Sequence, residues 1–480
     1  MTAEPDIAVI GAGWAGLSAA VRLTRAGRRV RLIDAAPQAG GRARRILLNW
    51  KHPVHGPNPI ELDNGQHLLL GAYREVLDLL RQVGADDPAR IERRPMQMAS
   101  STGLLLERPM FADDSPGSPG VSMAGALLEP WSLLIALATA QGLRLASRWA
   151  MIRVLTQSRL AGWRPPPGVV TVADWYDRTR QPAELVERIW QPLVISALNT
   201  PADTACAATF LRVLRDSFGA QPASSDFVLP RRNLSDLFVD PAMTWLRHEG
   251  ARISLRCDVR RIEVAPPLEA AARRSARYRI VGGSRQPGPP LTVECDEIVL
   301  ATPPYATARI LDGLAAPALI EELNRFEYLP ITTAYLGWPE HRLGAGEGPP
   351  ALLALNPSGT AERHAQWFFD RGVHAHWRIA ALVISDSRKA RELGDERLAD
   401  ALVRQVVHEM GLPAPEQLSL IHEKRATIAC TPDRPRLSAL SIGGQLPGIV
   451  LAGDYTYADY PATLEGAVRS GRIAAEALLR

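Results

Sequence analysis

The hydrophobic and polar positions at the start of the chain predict a strand, a tight turn, a helix and a second strand. Residues 6–10 form a short apolar run, and a glycine-rich turn follows at residues 11–16. Apolar positions then recur at helical spacing up to residue 27. Residues 29–34 alternate between arginine and aliphatic side chains, as a half-buried strand does. The pattern therefore predicts an α/β unit at this end of the chain.

The turn itself has the sequence Gly-x-Gly-x-x-Gly, which in this context is typical of a dinucleotide-binding unit. Gly11 is expected to make the tight turn, and Gly13 to let the backbone approach a pyrophosphate. Gly16 is expected to let the helix pack on the sheet, and the helix N-terminus then offers free N–H groups to phosphates. Asp34 closes the second strand, where a carboxylate would bind ribose hydroxyls.

Composition excludes several classes of protein. The chain has 480 residues, 46% hydrophobic and 22% charged, which is enough for two or three domains with a large core. All but three of its 55 basic residues are arginines, and with 51 acids the net charge is +4. Because the arginines are spread among acids rather than gathered in blocks, no nucleic-acid partner is expected.

The remaining compositional signals concern the compartment. The four cysteines (Cys206, Cys257, Cys295 and Cys430) form no Cys-x-x-Cys pair, so neither a metal site nor a disulfide framework is predicted. The first residues do not have the pattern of a secretory signal. The most apolar stretch, residues 131–140, is about half the ~20 residues that a membrane-spanning helix needs. A cytoplasmic protein is expected.

Segments beyond the first unit resemble the FAD-dependent amine oxidase and carotenoid desaturase superfamily. The Gly-Gly-Arg sequence at residues 40–42 matches the position where an arginine and backbone amides hold the flavin diphosphate. Residues 61–67 match a glycine-containing segment that lies against the flavin, and residues 449–472 match the C-terminal Gly-Asp turn and helix. Residues 257–262 resemble the strand that reaches the adenine, and residues 298–304 the strand that returns to the cofactor domain. The resemblance implies non-covalently bound FAD.

Individual FAD contacts follow from matching these motifs residue by residue. Asp454 is expected to bind the ribityl or phosphate region, and a helix beginning near Thr463 to point its N-terminus at the flavin. The full set of predicted FAD contacts is Gly11, Gly13, Ala15, Gly16, Asp34, Gly41, Arg42, Gly65, Gln66, His67, Val259, Gly453, Asp454, Thr463 and Leu464.

The predicted fold class is α/β, a Rossmann-type (GR2-like) FAD-binding domain interrupted by a mixed α+β substrate domain. The FAD-binding domain is predicted to comprise residues 1–105, 226–310 and 425–480. The substrate domain is predicted to comprise residues 106–225 and 311–424. No second Gly-x-Gly-x-x-Gly sequence follows a strand, which indicates an external electron partner rather than a resident nicotinamide.

Within the superfamily, the chain is similar to one family in particular. Residues 189–201, 227–238 and 423–432 resemble the hydroxysqualene dehydroxylases of bacterial hopanoid biosynthesis, once called squalene-associated FAD-dependent desaturases. This resemblance runs from about residue 6 to residue 478. It implies a reductive dehydroxylation of hydroxysqualene to squalene, with an apolar C30 isoprenoid as substrate.

Such a reaction would need a general acid to help the hydroxyl leave. Asp63 and His67 are the candidates, because their motif is expected near the flavin ring; each has the alternative role of bracing the loop or touching the flavin. Tyr455, Tyr457 and Tyr460 offer phenols near the Gly-Asp turn, with packing as the alternative. Cys430 stands where some amine oxidases attach flavin covalently, although its surroundings do not otherwise match them.

A basic amphipathic helix is predicted at residues 141–155. Its pattern places Leu145, Trp149, Ile152 and Leu155 on one face, flanked by arginines 144, 148 and 153. Such a helix can lie on an anionic membrane, and a core helix with a solvated arginine edge is the other interpretation. A water-insoluble substrate favours peripheral contact with the inner membrane surface.

Three alternatives stay open at this stage. A carotenoid-type desaturase would share the fold and the apolar pocket, with electrons flowing in the opposite direction. An amine oxidase would need an aromatic cage beside the flavin. Non-enzymatic escort proteins related to GDP dissociation inhibitors use the same fold but tend to lose the flavin-contacting motifs, which this chain retains at residues 40–42 and 453–454.

Overall fold

The structure is a computed structural model of the 480-residue chain. The residues it describes are 6–109, 132–218, 222–264, 277–284, 290–342, 352–355 and 363–480.

A five-stranded parallel sheet forms the centre of the first layer. Its strands, in spatial order, are Arg252–Ser254, Val30–Ile33, Ile7–Ile10, Glu297–Leu300 and Ile449–Leu451. The three inner strands are short and almost wholly apolar, as expected when helices cover both faces of a parallel sheet. The predicted α/β class and Rossmann-type arrangement are confirmed.

Two helices from opposite ends of the chain pack together beside this sheet. The helix Trp14–Arg25 follows the first strand, and Leu464–Leu478 is the last helix of the chain. The Ser18 hydroxyl donates to the Val468 carbonyl at 2.8 Å. A Cβ added to Gly471 would lie 2.2 Å from the Ala15 carbonyl oxygen, so this contact depends on a glycine. The two ends of the chain therefore build one continuous layer.

A second five-stranded sheet is antiparallel. Its strands, in spatial order, are Leu352–Ala354, Trp367–His374, Trp377–Ser385, Tyr328–Pro339 and Gln417–Ile428. Bulky buried side chains fill it, among them Trp338, Tyr335 and Phe368. This sheet and the helices between residues 132 and 218 make up the mixed α+β part of the fold.

Shorter elements connect these layers. The remaining strands are Arg45–Leu48 with Ile60–Asp63, Lys51–His52 with Gly56–Pro57, Leu69–Leu70 with Phe227–Pro230 and Ile91–Arg94, Gln97–Ala99 with Leu105–Glu107, and Cys257–Val264 with Tyr278–Ser284 and Leu291–Cys295. The remaining α-helices are Arg74–Gln82, Ser132–Thr139, Leu145–Leu160, Val172–Arg178, Ala183–Leu185, Gln191–Leu198, Ala207–Phe218, Asp240–His248, Pro304–Leu311, Pro317–Asn324, Arg388–Arg391 and Asp395–Met410.

The basic helix predicted at residues 141–155 is displaced along the chain. It runs from Leu145 to Leu160, because Gly142 adopts a positive φ of 74° and packs against Gly103. The apolar stretch at residues 131–140 contains the helix Ser132–Thr139, and residue 131 lies outside the described residues. In the described part of the chain, no helix is both long and apolar enough to span a bilayer.

The predicted domain boundaries at residues 105, 225, 310 and 424 stay predictions. All five strands of the parallel sheet come from the segments predicted for the FAD domain. The strands Gln97–Ala99 and Leu105–Glu107 begin in such a segment as well, yet Met98 and Leu106 pack in the same apolar cluster as the helices of the first insertion. Tertiary packing thus groups these strands with the substrate side.

Candidate functional site

The first glycine turn, residues 11–16, forms a cradle of bare backbone at the end of the central strand. Gly11 has a φ of +106°, and a Cβ there would lie 2.5 Å from the Ala301 carbonyl oxygen. A Cβ on Gly16 would lie 1.8 Å from the Gly11 carbonyl oxygen. No side chain caps the helix Trp14–Arg25 at Gly13, and its first turn holds no acid. Its first N–H groups are therefore available to an anion such as a phosphate.

The Gly-Gly-Arg turn, residues 40–42, lies against this cradle. The Gly40 N–H donates to the Ala12 carbonyl at 2.8 Å, and Gly40 forms a bridge with Gly13. Gly41 has a φ of +62°, and a Cβ there would lie 3.1 Å from the Gly13 Cα. The close approach of the two backbones therefore depends on glycine at residue 41, whereas a Cβ on Gly13 would lie 3.9 Å from the Gly41 Cα, in ordinary contact. The structure thus brings together two motifs that the sequence could only match separately.

Arg42 connects this cradle to the C-terminal motif. Its guanidinium donates to the Asp454 carboxylate at 2.6 Å and to the Ala426 carbonyl at 2.9 Å. The Asp454 side chain is 6% exposed and that of Arg42 is 36% exposed. Because the Arg42 side chain is still partly accessible, it can contact a diphosphate while Asp454 holds it in place.

Asp34 and Val259 lie at the edge where an adenosine would bind. The Asp34 carboxylate accepts N–H bonds from Ala12 at 2.5 Å and Ala36 at 2.7 Å, so it ties the glycine turn to the second strand. Burial raises the pKa of Asp34 above its usual value, against these two bonds. The Cys257 N–H donates to the Asp34 carbonyl at 2.9 Å, which places the strand Cys257–Val264 beside it.

The C-terminal motif supplies a second helix N-terminus. Thr463 caps the helix Leu464–Leu478, and its hydroxyl accepts from the Gly466 N–H at 2.9 Å. Gly453 precedes Asp454 with a φ of +146°, and its N–H donates to the Ser470 hydroxyl at 2.9 Å. The helix begins directly after Thr463, as the sequence predicts.

Asp63 is held by the protein interior. The side chain is 2% exposed, accepts from the Leu234 N–H at 2.7 Å and lies 3.9 Å from the Arg371 guanidinium. Burial raises the pKa of Asp63 to about 6, which the charge of Arg371 opposes. The Tyr335 hydroxyl also donates to the Asp63 carbonyl at 2.7 Å. These contacts are those of a residue that braces the loop.

His67, in the same loop, is partly buried. Its Nδ1 lies 2.7 Å from the Gly65 carbonyl, and because a carbonyl only accepts, Nδ1 carries the proton. Burial lowers the pKa of His67 to about 4, against this hydrogen bond. The ring is therefore neutral at physiological pH and offers Nε2 as an acceptor rather than as an acid. The catalytic roles of Asp63 and His67 stay predictions, and neither residue lines the apolar cavity described below.

Three buried polar atoms around this loop lack partners among the described residues: Gln66 Oε1, Thr333 Oγ1 and the Tyr328 hydroxyl. A Cβ on Gly65 would lie 3.8 Å from Thr333 Oγ1, and Tyr328 lies in the field of Arg42 and Asp454. Buried polar groups are normally satisfied, so these three atoms are available as partners for a polar ligand. Together with the glycine cradle, they fit the FAD that the motifs imply.

An apolar cavity adjoins the C-terminal helix. Its empty space is about 1270 Å³, a volume that includes the part open to solvent. Its walls are apolar side chains from separate segments, including Met98, Leu106, Leu193, Phe210 and Trp367. One part of the wall is polar and includes Tyr73, Tyr460, Thr463 and Glu465. The lining includes Leu68, which follows His67, and Thr463, so the cavity adjoins the predicted FAD contacts.

Sequence reasoning missed several of these residues. Thr333 and Tyr328 lie on a strand with no local motif, and the lining residues Tyr73, Phe210 and Trp367 are indistinguishable from core residues in sequence. The Glu465 carboxylate accepts the Glu75 and Val76 N–H groups at 3.1 and 3.0 Å, so it caps the neighbouring helix. Only the assembled fold reveals these roles.

Among the other candidates only Tyr460 lines the cavity, and Tyr455, Tyr457 and Cys430 have ordinary surroundings. Tyr455 is 3% exposed, packs against Phe326 and lies 3.4 Å from the Thr307 hydroxyl. Tyr457 and Tyr460 stack with ring centres 5.7 Å apart. Cys430 is buried, and burial raises the pKa of its thiol to about 12, which keeps it protonated and unreactive.

A parallel dinucleotide sheet, a glycine cradle at the end of its central strand and an apolar cavity are the features of an FAD-dependent oxidoreductase. Residues 9–83 match the model of the NAD(P)-binding Rossmann-like domain, and residues 224–479 match that of the flavin containing amine oxidoreductases. The second match covers more than half of the chain, and the chain belongs to this family. Its cofactor is FAD.

Individual relatives cover nearly the whole chain at modest identity. A hydroxysqualene dehydroxylase of Rhodopseudomonas palustris is 26% identical over 98% of this chain and 97% of the relative. A probable zeta-carotene desaturase of Synechococcus elongatus is 24% identical over 98% of each chain. A solved variant of putrescine oxidase has a TM-score of 0.67 at 16% identity, covering 99% of this chain and 98% of that one. The last likeness concerns the fold alone.

Proposed function

We propose that this protein reduces hydroxysqualene to squalene in bacterial hopanoid biosynthesis. The observation that carries the proposal is an apolar cavity whose lining includes Leu68 and the predicted FAD contact Thr463. Its predominantly apolar walls suit a hydrocarbon, and a C30 isoprenoid is the substrate class that the full-length relatives suggest.

In this reaction hydroxysqualene and reduced flavin give squalene, water and oxidised flavin. When bound, the reduced flavin supplies the hydride that replaces the hydroxyl. The chain's own residues bind the apolar substrate, exclude water and hold the cofactor against the cavity. Loss of the hydroxyl from an allylic position leaves a delocalised cation, which the dry apolar walls protect from water.

The hydroxyl needs a hydrogen-bond donor as it leaves. Tyr73 and Tyr460 place phenols on the polar part of the cavity wall. The carboxylates there have partners already, since Asp216 pairs with Arg215 and Glu465 pairs with Arg469. A phenol is therefore the group we assign to the departing oxygen, in preference to Asp63 and His67.

The prediction is that Tyr460→Phe lowers kcat more than it changes KM, while FAD content is unchanged.

Anaerobic incubation tests the direction of the reaction. The FAD-loaded protein is reduced chemically and mixed with hydroxysqualene, and the organic extract is examined for squalene. We expect one squalene for each flavin oxidised. Flavin that stays reduced, with no squalene formed, would exclude the proposal.

A carotenoid-type desaturase is the second candidate, supported by the desaturase relative that covers the whole chain. In that case oxidised flavin would be reduced by a polyene precursor such as phytoene under anaerobic conditions. Release of hydrogen peroxide from polyamines would instead favour an amine oxidase.

A further inference from the structure

The helix Leu145–Leu160 presents an apolar face to the outside of the protein. Leu145 is 70% exposed, Trp149 is 69% exposed and Leu160 is 83% exposed. Their spacings of four and eleven residues place them along one stripe of the helix, about 22 Å long at 1.5 Å per residue. Leu145 and Trp149 belong to the face that the sequence pattern predicts and are exposed. The other two members of that face, Ile152 and Leu155, are partly buried and pack against the apolar cluster, so the core interpretation holds for them.

The opposite face anchors the helix to the protein. Ala150, Met151 and Val154 are buried in the apolar cluster that also contains Met98 and Phe210. Those two residues line the apolar cavity as well. The helix is therefore firmly packed, and its exposed stripe lies on the outer side of the cluster that surrounds the cavity.

Along the sequence, the charge of the segment that carries the stripe is of one sign; the nearby acid Glu184, from another segment, accepts from the Arg144 N–H and the Ser147 hydroxyl at the start of the helix. Residues 132–170 contain five arginines and no lysine, aspartate or glutamate: Arg144, Arg148, Arg153, Arg159 and Arg164. Four of them are exposed, and Arg148 is partly buried. The whole chain is almost balanced, with 55 basic and 51 acidic residues, so this segment departs from the rest. The guanidinium groups of Arg148 and Arg153 donate hydrogen bonds to backbone carbonyls, that of Arg148 to Ala138 and that of Arg153 to Thr179.

We propose that this face docks on the surface of a bilayer that contains anionic lipids. Leu145, Trp149 and Leu160 would enter the boundary between headgroups and acyl chains, while the arginines contact phosphates. A second copy of this chain fits less well, because a two-fold contact would bring the same arginines together. The inference stands on this surface alone; the proposed isoprenoid substrate gives it a use, since the substrate dissolves in membranes.

The test uses the FAD-loaded full-length protein and two kinds of vesicle. One kind is phosphatidylcholine alone, and the other is phosphatidylcholine and phosphatidylglycerol in equal parts. We expect flotation with the anionic vesicles only, and at least tenfold weaker binding when salt rises from about 0.1 to about 1 M, where the Debye length falls from about 10 to about 3 Å. Binding is measured without substrate, so it does not depend on the proposed reaction.

Variants locate the contact. Trp149→Glu combined with Leu160→Glu is expected to weaken binding at least tenfold, because charged groups oppose burial in the boundary region. Arg153→Gln and Arg159→Gln are expected to cost about fivefold each. The matched control carries Val54→Glu and Leu440→Glu, which change residues 74% and 60% exposed elsewhere on the surface. Flavin absorbance and the melting temperature show that each variant is folded.

Three results would overturn the inference. In the first, the parent protein stays at the bottom of the gradient with both kinds of vesicle. In the second, the Trp149→Glu and Leu160→Glu protein binds as well as its control. In the third, light scattering shows a dimer that these two changes convert to a monomer, which would identify a second copy of the chain as the occupant.

Discussion

The predicted cofactor cleft consists of the two glycine turns at residues 11–16 and 40–42, the Arg42–Asp454 pair and the loop of residues 63–67. This cleft and the apolar cavity next to it make different kinds of contact with what they bind. The cleft is lined by bare backbone and helix ends, with Gly11, Gly16 and Gly41 at positions where a Cβ would meet another main-chain atom within 1.8–3.1 Å. The cavity is lined by ordinary apolar side chains such as Met98 and Leu193. Where backbone makes the contact, one residue type is required; where side-chain surface makes it, many combinations serve.

This difference also separates what the two regions do. The cleft must recognise charged and polar groups, so it needs fixed N–H groups and an oriented arginine. The cavity must exclude water and accept a hydrocarbon, which requires only volume and low polarity. The four changes below test the contrast, beginning with the largest expected effect.

Gly11→Ala should abolish FAD binding. The added methyl would lie 2.5 Å from the Ala301 carbonyl oxygen, at a φ of +106° that other residues rarely adopt. We expect purified protein with almost no flavin absorbance relative to protein absorbance. Gly27→Ala is the matched control, because Gly27 also has a positive φ, and no described atom lies within 4 Å of its added Cβ. It should cost only about 1–2 kcal/mol in stability and keep its flavin. Equal flavin content in the Gly11→Ala and Gly27→Ala variants would show that FAD binding does not require glycine at residue 11.

His67 should make the stability of the protein depend on pH. The pKa of His67 is lowered from 6.5 to about 4 in the folded protein, so its contribution is present above pH 6.5 and is lost as the pH falls towards 4. In flavin-free protein the parent should lose up to about 3 kcal/mol more of its unfolding free energy than His67→Gln over this range. Asp63, with its raised pKa, acts in the opposite sense and cancels in the difference.

Urea titrations at several pH values measure this difference. A constant gap between parent and His67→Gln from pH 7 to pH 4 would show that the ring is protonated normally. In that case the cleft does not control the charge of its histidine.

Asp454→Asn should weaken FAD binding by about 2 kcal/mol, or about thirtyfold in Kd. The change removes the carboxylate that holds the Arg42 guanidinium at 2.6 Å. Fluorescence titration of apoprotein with FAD gives the Kd. Glu322→Gln breaks an ion pair with Arg325 in which both side chains are largely exposed, and it should leave the Kd unchanged. An unchanged Kd for Asp454→Asn would mean that Arg42 does not need its partner.

Ala197→Phe should have the smallest effect of the four changes, and it should alter substrate turnover rather than FAD binding. It fills part of the cavity, so we expect kcat/KM for hydroxysqualene to fall about tenfold, while FAD content stays the same. Met98→Leu conserves volume in the same wall and should stay close to the parent. Ala138→Phe, at an exposed position, controls for the added ring. A loss of flavin from Ala197→Phe would show that cleft and cavity are not separate.

Much of the cleft was predictable from single residues. Gly11, Gly16 and the Gly-Gly pair at residues 40–41 could be identified because a positive φ or a clash with neighbouring main-chain atoms excludes other residue types there. The parallel sheet followed from short apolar runs, and the C-terminal helix begins after Thr463 as its motif indicates. The proposed electron partner, substrate and domain boundaries remain predictions.

The cavity and the surroundings of the candidate acids were not predictable. Asp63 and His67 share a motif, yet Leu234 and Arg371, far along the chain, determine what Asp63 contacts. Thr333 comes to Gly65 only because the second sheet packs there. A pattern in sequence records which side chains share a face, but not which distant segment covers that face.

The helix Leu145–Leu160 shows the same limit. Its sequence alone determined that Leu145 and Trp149 share a face, because helical geometry is local. Whether that face lies in the core or in solvent depended on the buried side, where Met151 and Val154 enter the cluster around the cavity. Sequence determined the backbone cradle for FAD, since bond geometry and sterics act within a few residues. Tertiary structure decided the cavity, the partners of the buried acids and the exposed stripe, since each arises from packing between distant segments.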